Sequence, residues 1–282
     1  MRPQSTLSLA YSTDLDDAFM FWAITAGRID PRDYGFDHVT HERADTATLN
    51  AWARDGAFDV VAVSIATLPA IAEHYLLLPH GGSVGRGYGP VVVSRTPLAS
   101  LDGLRVGTPG EGTTCAVLVA LAAPNAIRVS VPSAPMERAF AALADGSVDA
   151  CALIHEGRLT YAQRGLHLAL DLGAWWHARA GLPLPLGGNV IRRALGPDAI
   201  ERASRLLRDS IAYALSHRDE ALSLLLPGRP ELTHAQADQY LSLYANADTL
   251  AYPPDARTSV HTLLSDAATH HLLPAATLEF AP

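Results

Sequence analysis

The chain has 282 residues, enough for one large domain or two small ones, and its 49% hydrophobic composition is ample for a packed core. With 21 basic against 29 acidic residues it carries a net charge of -8, without a basic block or interleaved basic and aromatic residues, which excludes the usual nucleic-acid partner. No apolar run approaches membrane-spanning length and "MRPQSTLSLAYSTD" has no small-residue cleavage site, so the sequence reads as a soluble cytoplasmic protein without a membrane partner.

"TLSLAYS" has strand character, and "DDAFMFWAITAG" after it reads as a helix with acidic residues in its first turn and Gly27 as its stop. A strand near "DHVTHE", a helix through "TATLNAWARDG" and the apolar strand "FDVVAVS" complete a β-α-β-α-β unit. The same order returns in "LRVGTP", "TTCAVLVALAA", "IRVSVPS", "PMERAFAALADG" and "VDACALIH". "RDGAFDVVAVS" (54–64) and "ADGSVDACALIH" (144–155) share D-G-x-x-D, with Gly56 and Gly146 as helix stops.

Two such units predict two α/β lobes with largely parallel sheets, a single doubly wound sheet being the alternative. "GGSVGRGYGPVVVSR" and "GLPLPLGGNVIRR" combine Gly and Pro with a short β-branched strand and read as two crossings between lobes. The first lobe is placed at 1–93 and 187–282, the second at 94–186, and the helical stretch from Pro197 onward is expected to cap the first lobe. This layout resembles the type II periplasmic-binding-protein fold, with a small-molecule cleft between the lobes.

Ligands of open α/β sheets collect beyond the carboxyl ends of the parallel strands, which draws attention to Ser64 and its near-counterpart His155. A histidine titrates near neutral pH and is suited to proton transfer, and a hydrogen-bonded structural histidine is the competing reading. Glu156 beside it either orients the imidazole or pairs with Arg158. "VGTPGEGTT" is strand, glycine loop and helix start, so Thr113 and Thr114 offer hydroxyls and free N–H groups to a carboxylate, while Thr113 also suits a plain N-cap.

"STDLDDAF" leaves the first strand toward the cleft, making Ser12 and Asp17 candidates for substrate contact; capping explains Asp16 or Asp17 as well. Arg86, within the glycine-rich "GRGYG", and Trp175, near the second crossing, are further candidates, although packing is the commoner fate of a tryptophan.

Other motifs fail on context. Thr113 stands where a P-loop needs lysine, "GGSVG" lacks the helix a nucleophile elbow needs at Ser83, and Leu159 replaces the second histidine of a zincin. No metal is expected, and Cys115 and Cys151 read as buried thiols.

The stretches "GGSVGRGYGPVVV", "PGEGTT", "LIHEGRLTY", "DLGAWW", "GLPLPLGG" and "YANA" together resemble the 1,4-dihydroxy-6-naphthoate synthase family of the futalosine route to menaquinone. The resemblance implies a lyase that splits cyclic dehypoxanthine futalosine into 1,4-dihydroxy-6-naphthoate and dihydroxyacetone without a metal or organic cofactor. It places the family's base on His155, its substrate-contacting serine on Ser64 and its hydroxyl pair on Thr113 and Thr114.

The chain departs from the family in three places. Where the family has S-P-C-P-N-D-T-F, it has "STDLDDAF"; Ala62 stands at the place of a lysine near the substrate; and Gly157 replaces a serine. Chorismate dehydratase, on a similar fold, and a non-catalytic receptor for a small carboxylate are the alternatives. The expected partner is a small-molecule substrate, and the sequence leaves monomer and homodimer open.

Overall fold

In the computed structural model, which describes residues 6–132, 135–155, 157–229 and 232–282, the chain builds two mixed sheets, one in each lobe. The first unit runs β1 (Thr6–Ser12), α1 (Leu15–Thr25), β2 (His38–Ala44), α2 (Thr46–Arg54) and β3 (Val60–Ser64), followed by α3 (Leu68–Ile71), β4 (Tyr75–Leu77) and β5 (Ser83–Gly85). The second lobe holds β6 (Val91–Ser94), β7 (Arg105–Thr108), α4 (Thr114–Ala122), β8 (Ile127–Ser130), α5 (Glu137–Ala144), β9 (Ala150–Leu153), α6 (Gly157–Thr160), β10 (His167–Asp171) and α7 (Leu172–Ala180). The chain returns along β11 (Leu184–Arg192) and ends in α8 (Pro197–Ser216), α9 (Arg218–Leu225), α10 (His234–Tyr244), α11 (Ala247–Leu250) and α12 (Pro254–Thr269).

The repeat in the sequence becomes a repeat in topology. The first sheet has the order β2-β1-β3-β11-β4, with β5 also on β11, and the second the order β10-β6-β9-β7-β8. Within each unit the first strand lies between the other two and pairs with both in parallel: β1 with β2 and β3, β7 with β8 and β9. A strand entering from the other lobe then lies antiparallel to the last of the unit, β11 beside β3 and β6 beside β9. β6 pairs in the second sheet from Val91, and β11 pairs in the first from Leu184.

Local chemistry explains the elements. All five residues of β3 are buried, as its β-branched run requires of a strand covered on both faces. Gly56 and Gly146 follow α2 and α5 with φ of 66° and 77°, the left-handed conformation that glycine adopts without a Cβ clash. The helix α1 has almost no polar face: Phe19, Phe21 and Trp22 are buried, with α8, α9 and α10 packed on it. The terminal helices thus cover the first lobe, and α12 lies on β11. Among the described residues no helix is long and apolar enough to cross a membrane.

Candidate active site

The ends of β1, β3 and β9, the N-terminus of α4, and parts of β11 and α10 face one cleft of about 830 Å³, its open mouth included. Most of its wall is apolar or hydroxyl-bearing; its charges are Asp14, Asp16 and Asp17 from the start of α1 and the imidazole of His155. Neither arginine nor lysine lines it among the described residues, and Ala62 lies in the wall as a small apolar contact.

His155 follows β9 by two residues and takes φ of 49°, a left-handed conformation that costs a non-glycine residue conformational energy and recurs at functional sites. Both ring nitrogens meet groups from the first lobe: Nδ1 lies 3.2 Å from the Tyr240 hydroxyl, and Nε2 lies 3.0 Å from Oδ2 of Asp14. The Tyr240 hydroxyl donates to Oδ1 of Asp16 at 2.9 Å, and the Ser83 hydroxyl donates to the other oxygen of that carboxylate at 2.8 Å. Burial pushes the Asp16 carboxyl up, opposed by the nearby His155 charge. Burial and the Asp16 carboxylate also push Asp17 up to about 7, against the Ser12 N–H that donates to it at 2.7 Å.

On the opposite wall Asn50 of α2 holds Ser64. Its Oδ1 accepts the Ser64 N–H at 3.0 Å and its amide donates to the Ser64 hydroxyl oxygen at 3.3 Å, which leaves that hydroxyl's hydrogen for the cleft. The threonine hydroxyls are engaged elsewhere. Thr113 caps α4 by accepting from the Ala116 N–H and donates to the Gly110 carbonyl, while Thr114 donates to Leu186 at 2.6 Å and accepts from the Ala66 N–H. At this end of the cleft the donors that helix geometry leaves over are first-turn N–H groups of α4, not the threonine hydroxyls.

The cleft brings together His155, Ser64, Thr113, Thr114, Ala62, Ser12 and Asp17, while Arg86 and Trp175 stand outside it. The Arg86 guanidinium pairs with Asp248 at 2.7 Å and Asp255 at 2.8 Å and ties the first crossing to the terminal helices. Trp175 is half-buried against the main core with Arg179 over its ring; its neighbour Trp176 is fully buried and donates to the Pro183 carbonyl. Glu156 lies outside the described residues. Arg158 pairs with Asp171 at 2.9 Å.

Sequence reasoning missed Tyr240, Asn50 and the contact of Asp14 with His155. Each depends on a long-range approach that no local pattern announces, although the "Y-x-x-x-Y" spacing of Tyr240 and Tyr244 puts both on one face of α10. Cys115 also lines the cleft, but burial raises its thiol far above neutrality, and Cys151 is pushed up to about 12. Neither suits a nucleophile's role. Among the described residues no group of three or more His, Cys, Asp or Glu side chains is placed to hold a metal ion.

Residues 7–269 match the family model for menaquinone biosynthesis. Two curated proteins called 1,4-dihydroxy-6-naphthoate synthase are similar over nearly the whole chain. The one from Thermus thermophilus is 38% identical, covering 93% of both chains. The one from Streptomyces coelicolor is 36% identical, covering 96% of this chain and 95% of its own. A crystal structure of an Archaeoglobus fulgidus protein superposes with a TM-score of 0.90 at 36% identity, covering 97% of this chain and all of that one. The alkanesulfonate-binding protein of Xanthomonas axonopodis pv. citri, at 15% identity and a TM-score of 0.71 over 96% of this chain and 95% of its own, shares the periplasmic-binding-protein-like fold. A cleft of this form and near-full-length similarity lead to one family: the chain belongs to the 1,4-dihydroxy-6-naphthoate synthases of menaquinone biosynthesis, a family of lyases.

Proposed function

We propose that this chain splits cyclic dehypoxanthine futalosine into 1,4-dihydroxy-6-naphthoate and dihydroxyacetone, with His155 as the general base. The observation that carries the reading is the imidazole at the end of β9, projecting from one lobe into a cleft whose other wall presents a free hydroxyl hydrogen on Ser64. In this scheme His155 takes the proton of a substrate hydroxyl. The electron pair of the broken O–H bond forms a carbonyl as the adjacent carbon–carbon bond breaks, and the carbon that keeps the bonding pair takes a proton back from the imidazolium. Atoms balance without water or an oxidant.

The substrate carboxylate docks at the N-terminus of α4, where unpaired N–H groups and the positive end of the helix dipole favour an anion. Ser64 donates to a substrate oxygen from the other side. Closure of the lobes orients the substrate and excludes water. Incubation of the purified protein with cyclic dehypoxanthine futalosine, followed by chromatography, is expected to yield naphthoate and dihydroxyacetone in equal amounts. Unchanged substrate would refute the reading, and turnover of chorismate in its place would assign the chain to dehydration.

A further inference from the structure

Asp14 occupies the N-cap position of α1 with extended backbone, φ -68° and ψ 160°, yet its side chain caps nothing. An aspartate at this position ordinarily accepts a first-turn N–H. Here the carboxylate reaches across to the second lobe and meets Nε2 of His155 at 3.0 Å. On the other side of the ring, the single hydrogen of the Tyr240 hydroxyl goes to Asp16, so the hydrogen in the contact between Tyr240 and Nδ1 comes from the imidazole. Asp16 is itself fixed, since its second oxygen accepts from Ser83.

We propose that Asp14 and the Tyr240–Asp16 pair are positioning residues for the base: Tyr240 keeps hydrogen on Nδ1 and leaves Nε2 as the basic nitrogen, and Asp14 stabilises the imidazolium that forms there. The proposal rests on the reading of His155 as the base. When Nε2 takes the substrate proton, the Asp14 carboxylate beside it stabilises the imidazolium charge until the proton returns to carbon. The arrangement joins α1 and α10 of the first lobe to the end of β9 in the second, so the base is assembled only when the lobes come together.

Two readouts test this, one of which needs no substrate. The ring nitrogens of His155 are followed by ¹⁵N NMR in the full-length protein, the signal being identified by its loss in His155→Gln. In Asp14→Asn the titration midpoint of His155 is expected to fall by about one pH unit, because an opposite charge no longer favours the imidazolium. In Tyr240→Phe the neutral ring is expected to lose its uniform Nδ1–H tautomer. The other titratable and charged groups around the ring, Asp16, Asp17, Tyr244 and Arg158, are unsubstituted in both variants. A wild-type midpoint in Asp14→Asn, or an unchanged tautomer in Tyr240→Phe, overturns the proposal.

The second readout is steady-state turnover of cyclic dehypoxanthine futalosine. Each variant is expected to lose roughly 10- to 100-fold in kcat while KM stays within about threefold, because the interaction strengthens as the imidazolium forms. The acidic limb of the kcat/KM profile is expected to move to lower pH in Asp14→Asn. Full kcat in both variants would also overturn it. A wild-type protein that makes no product would count against the substrate reading alone, and the NMR result would still decide the positioning roles.

Discussion

The two β-α-β-α-β units end their second helices with the same D-G-x-x-D step, and the last aspartates of the two steps meet different surroundings. In each unit this aspartate accepts a backbone N–H from the neighbouring first strand: Asp59 from Ser8 of β1 at 2.9 Å, Asp149 from Arg105 of β7 at 2.8 Å. The local role is therefore the same. Asp59, however, is buried at 6% exposure, pairs with Arg192 of the returning strand and accepts the Ser8 hydroxyl, whereas the Asp149–Arg105 pair lies at the surface. A shared motif fixes the backbone corner, and the strand that crosses from the other lobe decides how much energy rests on it.

The opposite ends of the same strands diverge as well. β3 ends at Ser64 in extended backbone, held by Asn50, while β9 is followed by the left-handed His155. The first lobe supplies the donor and the carboxylates, and the second supplies the imidazole.

Substitutions sharpen this contrast. The largest effect is expected at the strand ends: His155→Ala should lower kcat by roughly 10²- to 10⁴-fold, the usual contribution of a general base, while the fold is kept. Loss of binding with kcat intact would reverse the division of labour between the lobes.

Next comes Asp59→Ala, which removes one partner of a largely buried ion pair and leaves the Ser8 donors unmatched. It is expected to cost about 3 kcal/mol in denaturant unfolding. A small cost would show that the two corners are equivalent after all.

The acidic wall of the first lobe predicts a pH dependence of stability. Asp17 has its folded-state value raised from 3.8 to about 7, so between these values the native protein binds more protons than the unfolded chain. Stability is then expected to fall as pH rises from about 4 to about 7, and to be regained on acidification through that window. The full shift corresponds to at most about 4 kcal/mol. Thermal unfolding across this range should show a flatter profile for Asp17→Asn; parallel profiles would remove the carboxylate from the account. The smallest effect is expected for Asp149→Ala, a surface pair, whose unfolding midpoint should stay close to that of the wild type.

Much of this architecture is local and therefore readable in the sequence. The glycine stops at Gly56 and Gly146, the apolar run of β3 and the strand-end positions of Ser64 and His155 all follow from short patterns of residue type. The polar partners of the site do not. Tyr240 meets His155 across 85 residues of chain, Leu186 takes the Thr114 hydroxyl across 72, and Arg86 finds Asp248 across 162. Such pairings are set by which helices close over the first lobe, so Arg86 looked available for substrate and the threonine hydroxyls looked free. The two tryptophans show the same limit on a helix, where adjacent side chains diverge: Trp176 is fully buried, while Trp175 is half-buried at the core's edge.

The most direct test of the central claim is a paired measurement on wild type and His155→Ala: turnover of cyclic dehypoxanthine futalosine by chromatography and binding of the same compound by calorimetry. The account predicts naphthoate and dihydroxyacetone from the wild type alone, with comparable binding by both proteins. Turnover that survives in His155→Ala, or tight binding by the wild type with the compound recovered unchanged, would contradict it.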